Sequence, residues 1–281
     1  MAKPQLVVYT YGSVASPYGA GPHLKAAFEA QNDCEIRWVV TDTEMMLINR
    51  LHLEGTRTRA DVILGVSSLD DSLDYDFTPY AKVCLAFIYD EKRLLNPPKS
   101  LPDIMDGNWK ILLQDPRTSQ PGLAFLYWIR TLYGMRTPEI WKALQPHILT
   151  FTKGWSQSYT LFQQGEGDLV LSYVTSPLFH ELKEGKTNFK SCDLAEGNMC
   201  FYERAAIVNN SPLAREFLKF LTSEEGQEIL ATEGWVLPLE DIPATWKKAQ
   251  TFKDQDYAPT QMPLISYQDL ISEWESALRG D

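Results

Sequence analysis

Short apolar runs rich in Val, Ile, Leu and Tyr recur along this chain, and between them apolar residues return every three to four positions. The first pattern is that of buried strands, the second of helices with one buried face. Leu6 to Tyr11 reads as a strand, Gly19-Ala-Gly-Pro22 leads into a helix to about Gln31, and Ile36 to Thr41 reads as a second strand. Thr43 to Gly55 predicts a helix stopped by its glycine, and Ala60 to Leu64 a third strand. Strand, helix, strand, helix, strand is half of a doubly wound α/β sheet. Residues 66 to 80 are polar, and Val83 to Tyr89 is then a strongly apolar strand. A second α/β series follows: strand Trp109 to Gln114, helices Pro121 to Tyr133 and Thr137 to Leu144, strand Ile148 to Thr152, helix Ser158 to Gly165, strand Asp168 to Ser172 and helix Ser176 to Glu184. Phe201 to Val208 reads as a strand returning to the first series, with helices ending near Thr222 and Glu233 and a last one over Ser266 to Leu278.

Composition narrows the functions open to such a chain. It has 281 residues, 44% hydrophobic, with a net charge of −11. That charge repels nucleic-acid phosphates and suits a solvated, monomeric surface. No stretch is long and apolar enough to cross a membrane as a helix. The chain opens Met1-Ala2-Lys3-Pro4 and enters a strand at once, which fits either a cytosolic protein or a mature domain with a start codon added. The four cysteines, Cys34, Cys84, Cys192 and Cys200, have no CxxC spacing, so no zinc or redox centre is expected. Cys192 and Cys200 are near enough in sequence to be bridged after export; otherwise the thiols are isolated, with Cys84 a small buried hydrophobe. No GxSxG, HExxH, phosphate-binding or dinucleotide-binding loop is present, and the four histidines are scattered. No catalytic residue, cofactor or metal is expected.

Three features carry chemistry. In Leu113-Gln-Asp-Pro-Arg-Thr-Ser-Gln-Pro-Gly122 a strand gives way to a polar turn and then a helix, with Ser119 placed to cap it and Pro121 in its first turn. Leu169-Val-Leu-Ser-Tyr-Val-Thr-Ser-Pro177 repeats that plan. Two such turns in one α/β series aim two helix N-termini, with their free N–H groups, at the edge where open α/β sheets bind ligands, and so suit an anion. The third feature is aromatic: Trp155 in Lys-Gly-Trp-Ser, Tyr173, Trp235, Tyr11 and Tyr18 all stand at strand or helix ends. Such rings suit a flat, cationic ligand, or they are simply core.

These segments together resemble the periplasmic thiamine-binding proteins of bacterial thiamine ABC importers. The resemblance rests on Val8-Tyr-Thr-Tyr11, Leu47-Ile-Asn-Arg-Leu51, Ala60-Asp-Val-Ile-Leu-Gly65, Gln114-Asp-Pro-Arg-Thr-Ser119, Thr152-Lys-Gly-Trp-Ser156, Asp168-Leu-Val-Leu-Ser-Tyr173, Thr175-Ser-Pro177 and Ile271-Ser-Glu-Trp-Glu275. It spans nearly the whole chain. It implies a two-lobed α/β type II periplasmic-binding-protein fold with hinge strands and an interlobe ligand cleft. Lobe 1 would be residues 1–80 with 206–264 returning to it, lobe 2 residues 81–205, and 265–281 would pack near the hinge or lobe 2. The implied protein is a periplasmic monomer that passes thiamine or a thiamine phosphate to a membrane permease. Ser119 and Gln120 would touch the ligand, Trp155 would stack on it, and Tyr173, Val174, Thr175 and Ser176 would supply hydroxyls and backbone N–H groups for a phosphate. Trp235 would form an aromatic wall and Tyr11 would approach from the first lobe.

The departures from the family fall on the first lobe. Gly12 stands where an acidic residue is usual, Tyr18 where a Trp is usual, and Thr43-Glu44 where an Asp-Gly pair contacts ligand. Phe77 to Val83 replaces the usual hinge strand, and the segment before it is shorter. Glu44 or Asp42 would restore the lost carboxylate. Otherwise the first lobe reads a different small anionic or cationic solute. A third alternative is a thiamine-degrading enzyme on the same scaffold, with Cys84 as nucleophile and Glu203 as base.

Overall fold

A computed structural model describes residues 3–239, 243 and 260–280. The chain divides into two compact units, Met1–Val83 with Phe201–Lys248, and Cys84–Cys200 with Ala249–Asp281. The expected return of 206–264 to the first lobe includes 240–242 and 244–259, which lie outside the described residues.

In the first unit, β1 (Gln5–Tyr11), α1 (Gly12–Ala15), α2 (Gly21–Gln31), β2 (Glu35–Thr41), α3 (Glu44–Glu54) and β3 (Val62–Ser67) follow in order. β1 runs parallel to β2 and β3. Side chains alternate across such strands, and both faces are covered. Leu6, Val8, Val62 and Leu64 pack with Leu24 and Phe28 of α2 on one face. Tyr9, Ile63 and Val66 pack with Leu47, Ile48 and Leu51 of α3 on the other. The single helical turn of α1, which nothing in the pattern announces, begins directly after Tyr11.

β4 (Phe77–Asp90) carries the chain from one unit to the next. The second unit holds α4 (Leu101–Asp106), β5 (Ile111–Gln114), α5 (Gln120–Tyr133), α6 (Thr137–Leu144), β6 (Ile148–Thr152), α7 (Trp155–Gln163), β7 (Leu169–Tyr173), α8 (Ser176–Phe179) running into a π-helical turn His180–Glu184, and β8 (Phe189–Ser191). β7, β5 and β6 are parallel neighbours, while β4 is antiparallel to β7 and β8. Residues Gln120 to Ile129 of α5 are all buried, which is why that helix reads apolar on every side. Its Phe125 meets Phe87 and Trp141 edge to face at 5.5 and 5.6 Å. The helix expected from Ser158 starts three residues earlier, because Gly154 takes an extended conformation (φ −159°) and begins it.

β9 (Cys200–Ile207) returns to the first unit and pairs antiparallel with β3. α9 (Pro212–Leu221) and α10 (Glu224–Gly234) follow, and α11 (Tyr267–Arg279) ends the chain. Ser211, Ser223 and Ser266 each cap the helix after them by accepting an N–H three residues on. α11 packs on the second unit: Trp274 sits edge to face on Phe151 and Trp141, and Arg130 pairs with Glu273 at 2.7 Å.

The cysteines follow neither sequence reading, the Cys192–Cys200 bridge or four isolated thiols. Cys200 is bridged to Cys84, 116 residues away, and Cys192 is a buried free thiol, as is Cys34. The partners that close in sequence are not the partners that close in space, because register against β4 decides. Cys192 donates its N–H to the Phe87 carbonyl (2.8 Å), three residues along β4 from Cys84, whereas Met199 accepts the Leu85 N–H (2.8 Å) and brings Cys200 beside Cys84. Three residues of strand are about 10 Å. This also removes Cys84 as a nucleophile: its sulfur is bonded, so the degrading-enzyme alternative loses its attacking group.

Candidate functional site

In the second unit, the carboxyl ends of three parallel strands each open into a helix. β5 leads through Asp115–Ser119 to α5, β6 through Lys153-Gly154 to α7, and β7 through Val174-Thr175 to α8. Hydrogen bonds tie the turns to one another. The Asp115 N–H donates to the Thr152 carbonyl (2.8 Å), and the Thr118 hydroxyl donates to the Lys153 carbonyl (2.7 Å). Asp115 also pairs with Arg117 at 2.6 Å, and that guanidinium holds the Asp115 carboxyl below its usual range. Ser119, 4% exposed, does not cap this 14-residue helix with its own side chain. Gly122 lets α5 approach β5 closely: a Cβ there would stand 2.4 Å from the Gln114 carbonyl oxygen.

The predicted second-unit residues come together at this edge. The Trp155 indole N–H donates to Ser172 Oγ (2.7 Å), and the Ser172 and Ser176 hydroxyls are bonded at 2.8 Å. Tyr159 stacks on Trp155 (4.9 Å, 25° between planes), and Tyr173 is tilted 6.2 Å from it. Beneath Tyr159 its hydroxyl is bonded to His180 Nε2 (2.8 Å), and His180 Nδ1 to Glu184 (2.8 Å). Burial keeps His180 neutral, so its Nδ1–H donates to Glu184 and its Nε2 accepts from Tyr159. Trp155 is thereby fixed in plane and tilt by a chain of buried partners. Val174, Thr175 and Ser176 are buried in the β7 turn. Two of its amides are already used: the Val174 N–H donates to the Cys84 carbonyl (3.0 Å) and the Tyr173 N–H to Ser176 Oγ (3.4 Å). Gln114 donates to the Ser158 hydroxyl and the Leu171 carbonyl (3.0 Å), leaving its Oε1 buried with no hydrogen-bond partner.

The first unit assembles a different set. Glu203 on β9, 4% exposed, accepts from the Tyr11 hydroxyl (3.2 Å) and the Tyr80 hydroxyl (3.0 Å). Across the ladder from Glu203 is Ser67, whose N–H donates to Glu44 Oε1 (2.7 Å). Glu44 opens α3 and is 3% exposed; Thr43, the residue before it, caps the helix through Met46 (3.3 Å). Burial first, and then the Glu203 charge, push the Glu44 carboxyl up to about 8. A bulge in β3 at Gly65 (φ +94°) makes room for the Tyr11 ring, which a Cβ at 65 would meet at 2.5 Å. Gly65→Ala is expected to cost about 1–3 kcal/mol from strain and overpacking, a drop of several degrees in a thermal melt.

Tyr18 is 81% exposed in the turn between α1 and α2, so it is part of no packed set. Trp235 ends α10 in a left-handed conformation (φ 56°), the one such non-glycine residue among those described. Gly234 beside it lies against Ala20, where a Cβ would stand 3.2 Å from that side chain, so the turns carrying Tyr18 and Trp235 are neighbours. Sequence reasoning named Glu203 only as a partner for Cys84 and did not single out Tyr80. The signal for Glu203 was a charged residue inside an apolar strand, Cys-Phe-Tyr-Glu-Arg-Ala-Ala-Ile.

Comparison with known proteins places this architecture. The profile of bacterial extracellular solute-binding proteins matches residues 6–236. The thiamine-binding periplasmic protein of Salmonella typhimurium is 38% identical over 99% of this chain and 94% of its own length, and that of Escherichia coli K12 is 38% identical with the same coverage. A solved periplasmic thiamin binding protein superposes with a TM-score of 0.86 at 36% identity, covering 98% of this chain and 96% of that one. A periplasmic binding protein from Actinobacillus pleuropneumoniae with fructose-6-phosphate bound shares the fold, with a TM-score of 0.73 at 18% identity over 99% of both chains. The chain belongs to the bacterial extracellular solute-binding proteins and has the α/β fold of their type II periplasmic members.

Proposed function

We propose that this protein is the solute-binding component of an ABC importer, that its solute is thiamine or a thiamine phosphate, and that it binds the solute without changing it. The observation that carries the reading is Trp155, pinned through Ser172 and backed by Tyr159 at the edge where α5 begins. A held indole face suits a flat cation, and an uncapped helix N-terminus suits a phosphate. The names of the relatives supply thiamine, a flat cation, and its phosphate esters would add the anion. Ser119, Gln120, Trp155 and Tyr173 to Ser176 are the second unit's contribution, and Tyr11, Thr43, Glu44 and Trp235 the first unit's. The Cys84–Cys200 bridge supports a working life in an oxidising compartment, as the periplasmic relatives have. The partner would be a membrane permease, met by a monomer.

Calorimetry with thiamine is expected to show saturable binding by the whole protein. Trp155→Ala is expected to weaken it by about 2 kcal/mol, roughly 30-fold, through lost stacking and cation–π attraction. Absence of both heat and thermal shift at millimolar thiamine would refute the assignment. Glu44, where relatives of this kind are expected to have glycine, favours one second reading: another small cationic solute. A melting temperature raised by other organic cations and not by thiamine would select it.

A further inference from the structure

The first unit spends two buried carboxyls on one small region. We propose that Glu44 and Glu203 are the counterion for the positively charged centre of the solute, and that a cation entering there displaces a proton shared by the pair. The solute class is an organic monocation, and the inference rests on the thiamine reading above.

Four observations carry it. Glu44 and Glu203 are 3% and 4% exposed, so neither charge is screened by water. They are brought together by β-sheet register, since Ser67, opposite Glu203, holds Glu44 Oε1 through its N–H. Glu44 Oε2 is buried with no hydrogen-bond partner, an oxygen that the fold itself leaves unused. The hydroxyls of Tyr11 and Tyr80 both donate to Glu203, which favours its ionised form, so the shared proton resides on Glu44.

Among the described residues, no positively charged group acts on Glu44. The groups that act on Glu44 are Glu203 from β9 and Asp70 from the loop after β3, both of which raise its carboxyl. Tyr80 from β4, itself pushed well above its ordinary value by burial and Glu203, remains a neutral donor, as does Tyr11 from β1. Arg204 follows Glu203 in β9 and therefore points to the opposite face. There it donates to the Ser67 and Asp70 carbonyls, pairs with Asp71 (2.9 Å) and lies over the Phe77 ring. A carboxyl pair in this state is poised for exchange: the proton leaves to buffer, and the cation takes over its charge. No covalent bond changes besides the O–H.

The test uses the whole protein and thiamine. Titration calorimetry at pH 7 in two buffers of different protonation enthalpy is expected to show release of close to one proton per thiamine bound. The affinity is expected to rise about 10-fold per pH unit from pH 6 and level off near pH 8. The neutral isostere, with carbon in place of the thiazolium nitrogen, is expected to bind without proton release and with no pH dependence. Glu44→Gln keeps the acceptor for Ser67 and is expected to lose both the proton release and the slope. Wild-type thiamine binding with a flat pH profile and no proton exchange would overturn the counterion while leaving the thiamine reading intact. Failure of both thiamine and the isostere to bind at any pH would overturn both together.

Discussion

Replacing Cys84 and Cys200 by alanine is expected to lower stability by about 5 kcal/mol, the largest single loss this structure predicts. The bridge joins residues 116 apart, and closing a loop of that length removes chain entropy from the unfolded state. Both sulfurs belong to the second unit, and the closed loop contains every residue from its first strand to the end of its continuous segment. For a body of this size a loss of that magnitude corresponds to a fall in Tm on the order of 10 °C. Reductant added to the wild type should reproduce the melting curve of the double variant. It should leave the variant itself unmoved, because the two remaining thiols are buried and apart from the bridge. A wild-type curve indifferent to reductant would refute the bridge's contribution.

Glu44→Gln is expected to stabilise the solute-free protein at alkaline pH by several kcal/mol. The Glu44 carboxyl is raised from an ordinary value of 4.5 to about 8 by burial and by Glu203, so the folded protein holds a proton that the unfolded chain releases. Stability falls with pH wherever the folded state binds more protons. The contribution of that proton is therefore complete below about 4.5 and is lost as pH rises through about 8, at roughly 1.4 kcal/mol per unit. Urea unfolding at a series of pH values should give curves for wild type and variant that meet near pH 4.5 and separate steadily up to pH 8. A separation that does not grow with pH would show Glu44 to be ionised in the folded protein. A group that destabilises the empty fold while serving the loaded one is what a binding site, rather than a structural contact, produces.

How far the sequence could be read depended on the distance between partners. The second-unit arrangement was legible because each part is local: strand, polar turn and helix are adjacent in Leu113–Gly122 and in Leu169–Pro177. Even there the start of α7 slipped by three residues, since glycine before a helix is weaker punctuation than serine. The first-unit cluster was hardly legible. Glu203 finds Tyr11 from 192 residues away and Tyr80 from 123, and only the β3–β9 register, with its bulge at Gly65, sets Ser67 and Glu44 against it. The pairing of Cys84 with Cys200 was not legible for the same reason. Proximity in sequence favoured Cys192, and the register along β4 excluded it.

That bridge also constrains how the molecule is made. Cys84 is made before its mate and must wait while the continuous segment of the second unit, Cys84–Cys200, is synthesised behind it. Cys192 is made before the correct mate and docks three residues away on the same strand. Maturation of this protein thus depends on strand alignment preceding oxidation: sulfur chemistry that runs ahead of folding would lock in the error.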